Sequence, residues 1–244
     1  MNARTQRLCT WSGPLFALLF FVGFGLVARY IPPPDPLDPA SEVAQRYREH
    51  ANAIRAGMVV SLYALVFYVP WSAAISVQLK RIEGRHSPLS YAQLAIGATL
   101  PPSFIPTLYY FQNAAYRPER APEAVQQLND MGWLPFTGII YGILVQNLVI
   151  GLAVLSDKSA TPVYPRWYGY FSLWFALLYC PASLDVFFQD GPLAWNGLFS
   201  WWLSLVSFFI WVVVTTVVTF RAIREQERTE SAQATVHRSV PATP

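Results

Sequence analysis

The sequence predicts an all-α integral membrane protein: one bundle of six transmembrane helices, both termini cytoplasmic, with two short interfacial helices on the outer side. Three observations carry this. Charged residues make up only 13% of the chain, against about 25% in a soluble domain, while 54% are hydrophobic and 16% aromatic. Six apolar runs recur, each close to the roughly 20 residues that a helix needs to cross a bilayer. The basic residues collect between those runs, where they act as topology determinants. A formal charge of +3 spread in such clusters gives no reason to expect a nucleic-acid partner.

The first run, 11–28, follows a basic start (Arg4, Arg7). It is long for a signal peptide, and the bulky, charged LVARYIPPP after it offers no small-residue cleavage site, so an uncleaved helix is expected. The prolines at 32, 33, 34, 36 and 39 then force an extended segment. Ser41 can cap a short helix to about Arg55, with Val43, Tyr47 and Ile54 on one face. That helix is expected on the outer membrane surface, with a lid over the bundle mouth as the alternative.

The second run, 57–79, carries Pro70 as a kink and ends in the basic KRIEGRH. The third, 89–112, holds Pro101, Pro102 and Pro106, so its outer half is expected to be broken or bent. A loop then leads into a second short helix near 122–130. The fourth, 132–155, carries no charge but sets Gln146 and Asn147 side by side deep in the run. Such amides cost free energy against lipid tails and should face protein or a cavity. The fifth, 167–187, has Pro181 in its outer third, and the sixth, 198–220, is dense in Trp, Val and Phe. Residues 1–225 form one domain, and the polar stretch 226–244 reads as a disordered cytoplasmic tail.

Orientation follows from the bias in Lys and Arg. With the N-terminus inside, 11 basic residues fall on the cytoplasmic side and 6 outside. The protein is therefore expected in a cell membrane, that of the bacterial cytoplasm by general architecture. Inside-to-outside helices begin alike at Trp11-Ser12-Gly13, Tyr91-Ala92-Gln93 and Tyr168-Gly169-Tyr170. Triplication or an aromatic belt would each produce that pattern.

Function must be sought among inward-facing groups. Toward the inner side lie Ser76, Gln78, Gln93, Gln146 and Asn147, which either bond across helices or line a small site. Toward the outer side, Asp130 is placed to cap the fourth helix. Asp185, in the last turn of the fifth, opposes the helix dipole and wants a partner such as Arg117, Arg120 or Arg29. Aromatics including Tyr68, Trp71, Phe104, Trp174 and Trp201 could wall a pocket or anchor the bundle.

No cofactor is expected. His50, His86 and His237 all fall outside the apolar runs, no lysine lies inside one, and Cys9 and Cys180 lack any metal-ligand spacing. Phosphate loops, GxSxG and HExxH are absent, which makes an enzyme the lesser expectation. The leading expectation is binding or permeation of a small, mostly apolar molecule in a cavity between helices 2 to 5. Its expected lining is Trp71, Gln93, Tyr109, Tyr141, Gln146, Asn147 and Trp174. The alternatives are an accessory subunit of a larger membrane complex or a homo-oligomer, and, third, an enzyme acting on a lipid-like substrate through Asp130 or Asp185.

Overall fold

The computed structural model describes residues 3–239, and among these every regular element is a helix. Helix α1 (Ala3–Phe20) continues as a wider π-helical segment, Phe21–Val27, in which Ala28 N–H reaches back five residues to Gly23 O. Then follow α2 (Ala40–Leu65), α3 (Tyr68–Glu83), α4 (Pro88–Tyr116), α5 (Pro122–Gly138) and α6 (Tyr141–Ser156). Helix α7 (Arg166–Tyr179) tightens into a 3₁₀ segment, Cys180–Phe187. A second π segment, Leu198–Trp202, opens α8 (Leu203–Ser239).

Five stretches are long and apolar enough to cross a membrane: Ala3–Val27, Ala40–Glu83, Pro122–Ser156, Arg166–Phe187 and Leu198–Ala232. Two of them are interrupted partway. Pro70 has no N–H to offer one turn back, and the helix breaks there, at Val66–Phe67. The other break follows Gly138. Ile139 takes φ −76°, ψ 80°, an inverse γ-turn, and Ile140 N–H turns to Gly138 O at 2.9 Å instead of Phe136 O. Helix α4 runs through its three prolines without the expected break. Hydroxyls of Thr99, Ser103 and Thr107 bond carbonyls of the preceding turn along it, which compensates a helix that prolines have disturbed.

Of the two short outer helices, the first is the part of α2 before a kink at His50 (φ −117°, ψ 16°), and the second is the first turns of a continuous α5. The two pack on each other through buried Val43, Tyr47, Val125 and Asn129. Tyr30 O–H donates to Tyr47 (2.9 Å), whose hydroxyl donates to Asn129 Oδ1 (3.2 Å). Trp195 Nε1 donates to Pro34 O across the same cap. Because α5 already starts at Pro122, Asp130 lies two turns inside it and caps nothing; it accepts from Asn129 Nδ2. Ser41 likewise falls inside α2, where Pro39 holds the capping position.

At the opposite end a second clasp ties α1, α3 and α8. Gln78 Nε2 donates to Gln6 (2.6 Å) and Gln226 (3.2 Å), while Arg81 donates to Gln78 Oε1 and Ala222 O. Helix α8 then continues through the stretch expected to be disordered from residue 226. The Arg7–Glu227 ion pair and the Arg228–Glu225 and Gln226–Glu230 pairs within α8 hold its first turns there. The rest of that expected tail, 240–244, lies outside the described residues.

Glycine permits a close helix approach between the end of α1 and α2. A Cβ on Gly57 would sit 2.4 Å from Gly23 O, and one on Gly23 would sit 2.7 Å from Gly57 O. Only glycine at both positions allows the end of α1 to lie against α2 at this separation.

Candidate functional site

Above that crossing lies a cavity of about 160 Å³. Much of its wall comes from places where a helix departs from regular geometry, and most of the rest from regular turns of α1, α6 and α8. Phe21, Phe24 and Gly25 come from the π segment after α1, and Ser200 and Trp201 from the one before α8. Leu100, Pro101 and Phe104 come from the proline-rich turn of α4. Phe136, Thr137, Ile139 and Ile140 flank the α5–α6 break, and Tyr179 ends α7 where it tightens. Regular helices pack along continuous ridges. Widening or breaking several at one level disturbs that packing, and π segments recur at functional sites for this reason.

The walls are aromatic. Phe20, Phe24 and Phe136 form a cluster of near-parallel rings, with Phe136 4.4 Å (5°) from Phe24 and 6.1 Å (14°) from Phe20, and Phe20 5.7 Å (13°) from Phe24. Trp201 packs beside it, with its ring centroid 6.0 Å from that of Phe136. Among the described residues, no charged side chain lines the cavity. A few residues of the wall carry polar atoms without partners. The hydroxyl of Tyr179, the Oγ of Ser204 and the indole N–H of Trp201 are buried without a hydrogen-bond partner in the protein. Tyr68, also in the wall, donates its hydroxyl to Gln146 Oε1. Apolar walls with a small number of polar atoms are the usual make-up of a small-molecule site.

The residues expected to share a cavity do not. Tyr109, Tyr141 and Trp174 point outward and are exposed. Trp71 is buried and donates to Thr216 Oγ1 at 3.1 Å. Gln93 donates to Ser72 Oγ at 3.1 Å. Asn147 donates to Ile143 O one turn back at 2.9 Å, and its own Oδ1 stays unpartnered. Gln146 alone reaches the observed cavity, through Tyr68. The mismatch has a simple cause: Tyr109, Tyr141 and Trp174 lie on the outward faces of their helices, Trp71 and the amides Gln93 and Gln146 bond across to neighbouring helices, and Asn147 bonds within α6.

Asp185 departs furthest from expectation. It is 1% exposed and, among the described residues, has no ion-pair partner; Arg117, Arg120 and Arg29 do not reach it. Both carboxylate oxygens lack a hydrogen-bond partner, with the nearby Val186 N–H falling short of bonding geometry. Its Oδ1 lies 2.9 Å from the point a Cβ of Gly138 would occupy, at the α5–α6 break. Comparison with protein-family models, curated proteins and solved structures finds no match to this chain. Among the described residues, no group of three or more His, Cys, Asp or Glu is placed to hold a metal ion.

Some of these site residues carry a sequence signal. Phe24 sits between Gly23 and Gly25, Phe136 and Thr137 between Pro135 and Gly138, and Tyr179 two residues before Pro181. Glycine and proline flanking a large side chain inside an apolar run mark a helix irregularity. Ser204 has no such signal.

Proposed function

We propose that this protein binds a small, mostly apolar molecule within the membrane, in the cavity bounded by α1, α4, the α5–α6 break and α8. The observation that carries the reading is the aromatic cavity itself, with three unpartnered polar atoms on residues of its wall. Its volume of about 160 Å³ compares with roughly 150 Å³ for an apolar protein cavity that takes up benzene. One ring, or a short run of acyl or isoprenoid chain, is the matching size. The partly buried Phe21, Ile139, Leu205 and Phe209 at its edge give such a molecule a route from the lipid side.

The reading includes a six-span topology. The 29 residues of α4 extend about 44 Å at the α-helical rise and pack against α2, α3, α5 and α6. Counting α4 with the five apolar stretches brings both termini to one side, the cytoplasmic side by the Lys and Arg bias. A bacterial cytoplasmic membrane is the matching location.

The test is Ala17→Phe, which places a ring into the wall between Phe16 and Phe20. Native mass spectrometry and quenching of tryptophan fluorescence by a small aromatic probe should show binding to the wild type. Binding should be lost in Ala17→Phe while the variant still runs as a folded species on gel filtration. Equal binding by both proteins would show that the cavity is not the site.

A further inference from the structure

From the placement of Asp185 we infer that the preferred occupant of the cavity carries a positive charge: an apolar molecule ending in an ammonium group. This rests on the cavity being a binding site and adds the class of ligand.

Asp185 lies one residue behind the wall. Gly138, against which its carboxylate packs, sits between Thr137 and Ile139, and both of those line the cavity. A carboxylate at this burial with no ion-pair partner is poorly compensated, and among the described residues only the Val186 N–H, short of full bonding geometry, lies near to balance it. The elements packed on its 3₁₀ segment are α5, α7 and the π segment that opens α8. Helix α5 and that π segment contain no Lys or Arg, and the single basic residue of α7, Arg166, is at its far end. The surroundings favour a cation further. Gly138 is the last residue of α5, and Asp185 lies in the final turn of its own segment, so two carbonyl-bearing helix ends meet at the carboxylate. The first N–H groups of α6 begin just beyond the break, yet none bonds it.

The cavity supplies the second half of a cation site. Phe24, Phe104, Phe136, Phe208 and Trp201 present rings around it, and an ammonium is attracted to the faces of such rings. Aromatic walls in front and an unpaired carboxylate behind recognise an apolar amine. They would disfavour an anion.

The experiment compares two probes of the same shape, benzylammonium and its uncharged isostere ethylbenzene, on the purified full-length protein in neutral detergent. Binding is read from tryptophan fluorescence. Wild type should bind benzylammonium about tenfold more tightly than ethylbenzene. Asp185→Asn, which keeps the shape, should lose that preference while retaining ethylbenzene. Gly138→Ala, whose new Cβ would displace the carboxylate, should weaken benzylammonium alone. If wild type binds ethylbenzene as well as or better than benzylammonium, the charge preference is overturned and the apolar cavity stands. That comparison needs no variant to fold. If neither probe binds, both readings fall.

Discussion

Gly57→Ala tests the helix crossing beneath the cavity. The added methyl carbon would lie 2.4 Å from Gly23 O and 2.7 Å from both the N and the Cβ of Ala28. Ordinary contact begins near 3.4 Å, so α1 and α2 must part by about 1 Å. All three atoms belong to, or are fixed to, backbone, and no rotamer change can relieve them. Overpacking of this kind costs about 1–3 kcal/mol, and rigid neighbours put the cost at the upper end. Alanine returns roughly 1 kcal/mol of helix propensity, so the net loss is about 2 kcal/mol. For a chain of this size that corresponds to a fall in Tm of roughly 4–8 °C. The assay is thermal unfolding in one fixed detergent, calibrated with Ala56→Gly at the exposed position next door, which should cost only its propensity, about 1 kcal/mol. The displacement reaches Phe24 and Gly25, so binding of the aromatic probe should weaken as well. A Gly57→Ala protein as stable as wild type, or more so, would refute the close approach.

Other perturbations give separate readouts. Tyr68→Phe removes the hydroxyl that Gln146 accepts and leaves a buried amide without either of its bonds, since Gln146 Nε2 already lacks a partner. Destabilisation of about 1–3 kcal/mol is expected, and Tyr68→Phe combined with Gln146→Leu should recover part of it; failure to recover would deny the pairing. Asp157, just past the end of α6, provides a pH test. Burial pushes its carboxyl pKa up, but hydrogen bonds from the Ser159 hydroxyl and the Ser159 and Val163 N–H groups, with the charge of Arg81, outweigh this and hold it below the ordinary value. The folded pKa is therefore the lower one: the stabilisation is complete above the unfolded pKa, near 4, and is lost as pH falls through the folded pKa. Tm should drop on acidification below about pH 4, and Asp157→Asn should be less stable at pH 7 with a flatter acid limb. Parallel acid limbs would remove Asp157 as a contributor.

Much of the fold can be read along the chain because uncharged runs, basic clusters and proline segments each have one physical meaning in a bilayer. The inward placement of Gln146 and Asn147 follows from the cost of an amide in hydrocarbon, and both are fully buried. The cavity is harder to read. Its walls are Phe, Ile and Leu, the same residue types that face lipid, and hydropathy does not distinguish a cavity from a bilayer. Trp174 and Tyr141 look as suitable as Trp201 and Tyr179 until helix phase is known. That phase is reset by the π segment at Phe21–Val27 and the break at Ile139–Ile140, neither of which a regular 3.6-residue count anticipates. Asp130 shows the same limit at an end: one additional stretch of helix from Pro122 turns a capping residue into an interior one.

The distribution of satisfied and unsatisfied polar groups argues for function at the middle level. Both ends of the bundle are clasped by completed networks, Tyr30–Tyr47–Asn129 at one and Gln6–Gln78–Gln226 with Arg81 at the other. Farther along α8, Thr215, Thr216 and Thr219 each hold a buried Tyr or Trp from α7, α3 or the loop before α7. Several of the unpartnered groups, by contrast, gather at the cavity: Tyr179, Trp201, Ser204 and, one residue behind the wall, Asp185. A bundle needing only stability would have apolar side chains there, since an unpaired buried hydroxyl costs about 1–3 kcal/mol and an unpaired charge more. Other unpartnered groups, on Arg46, Gln93, Trp133, Gln146, Asn147 and Trp211, lie off the wall, but those at the cavity coincide with irregular helix geometry, and strain and unmet polar groups tend to meet at sites that a ligand completes.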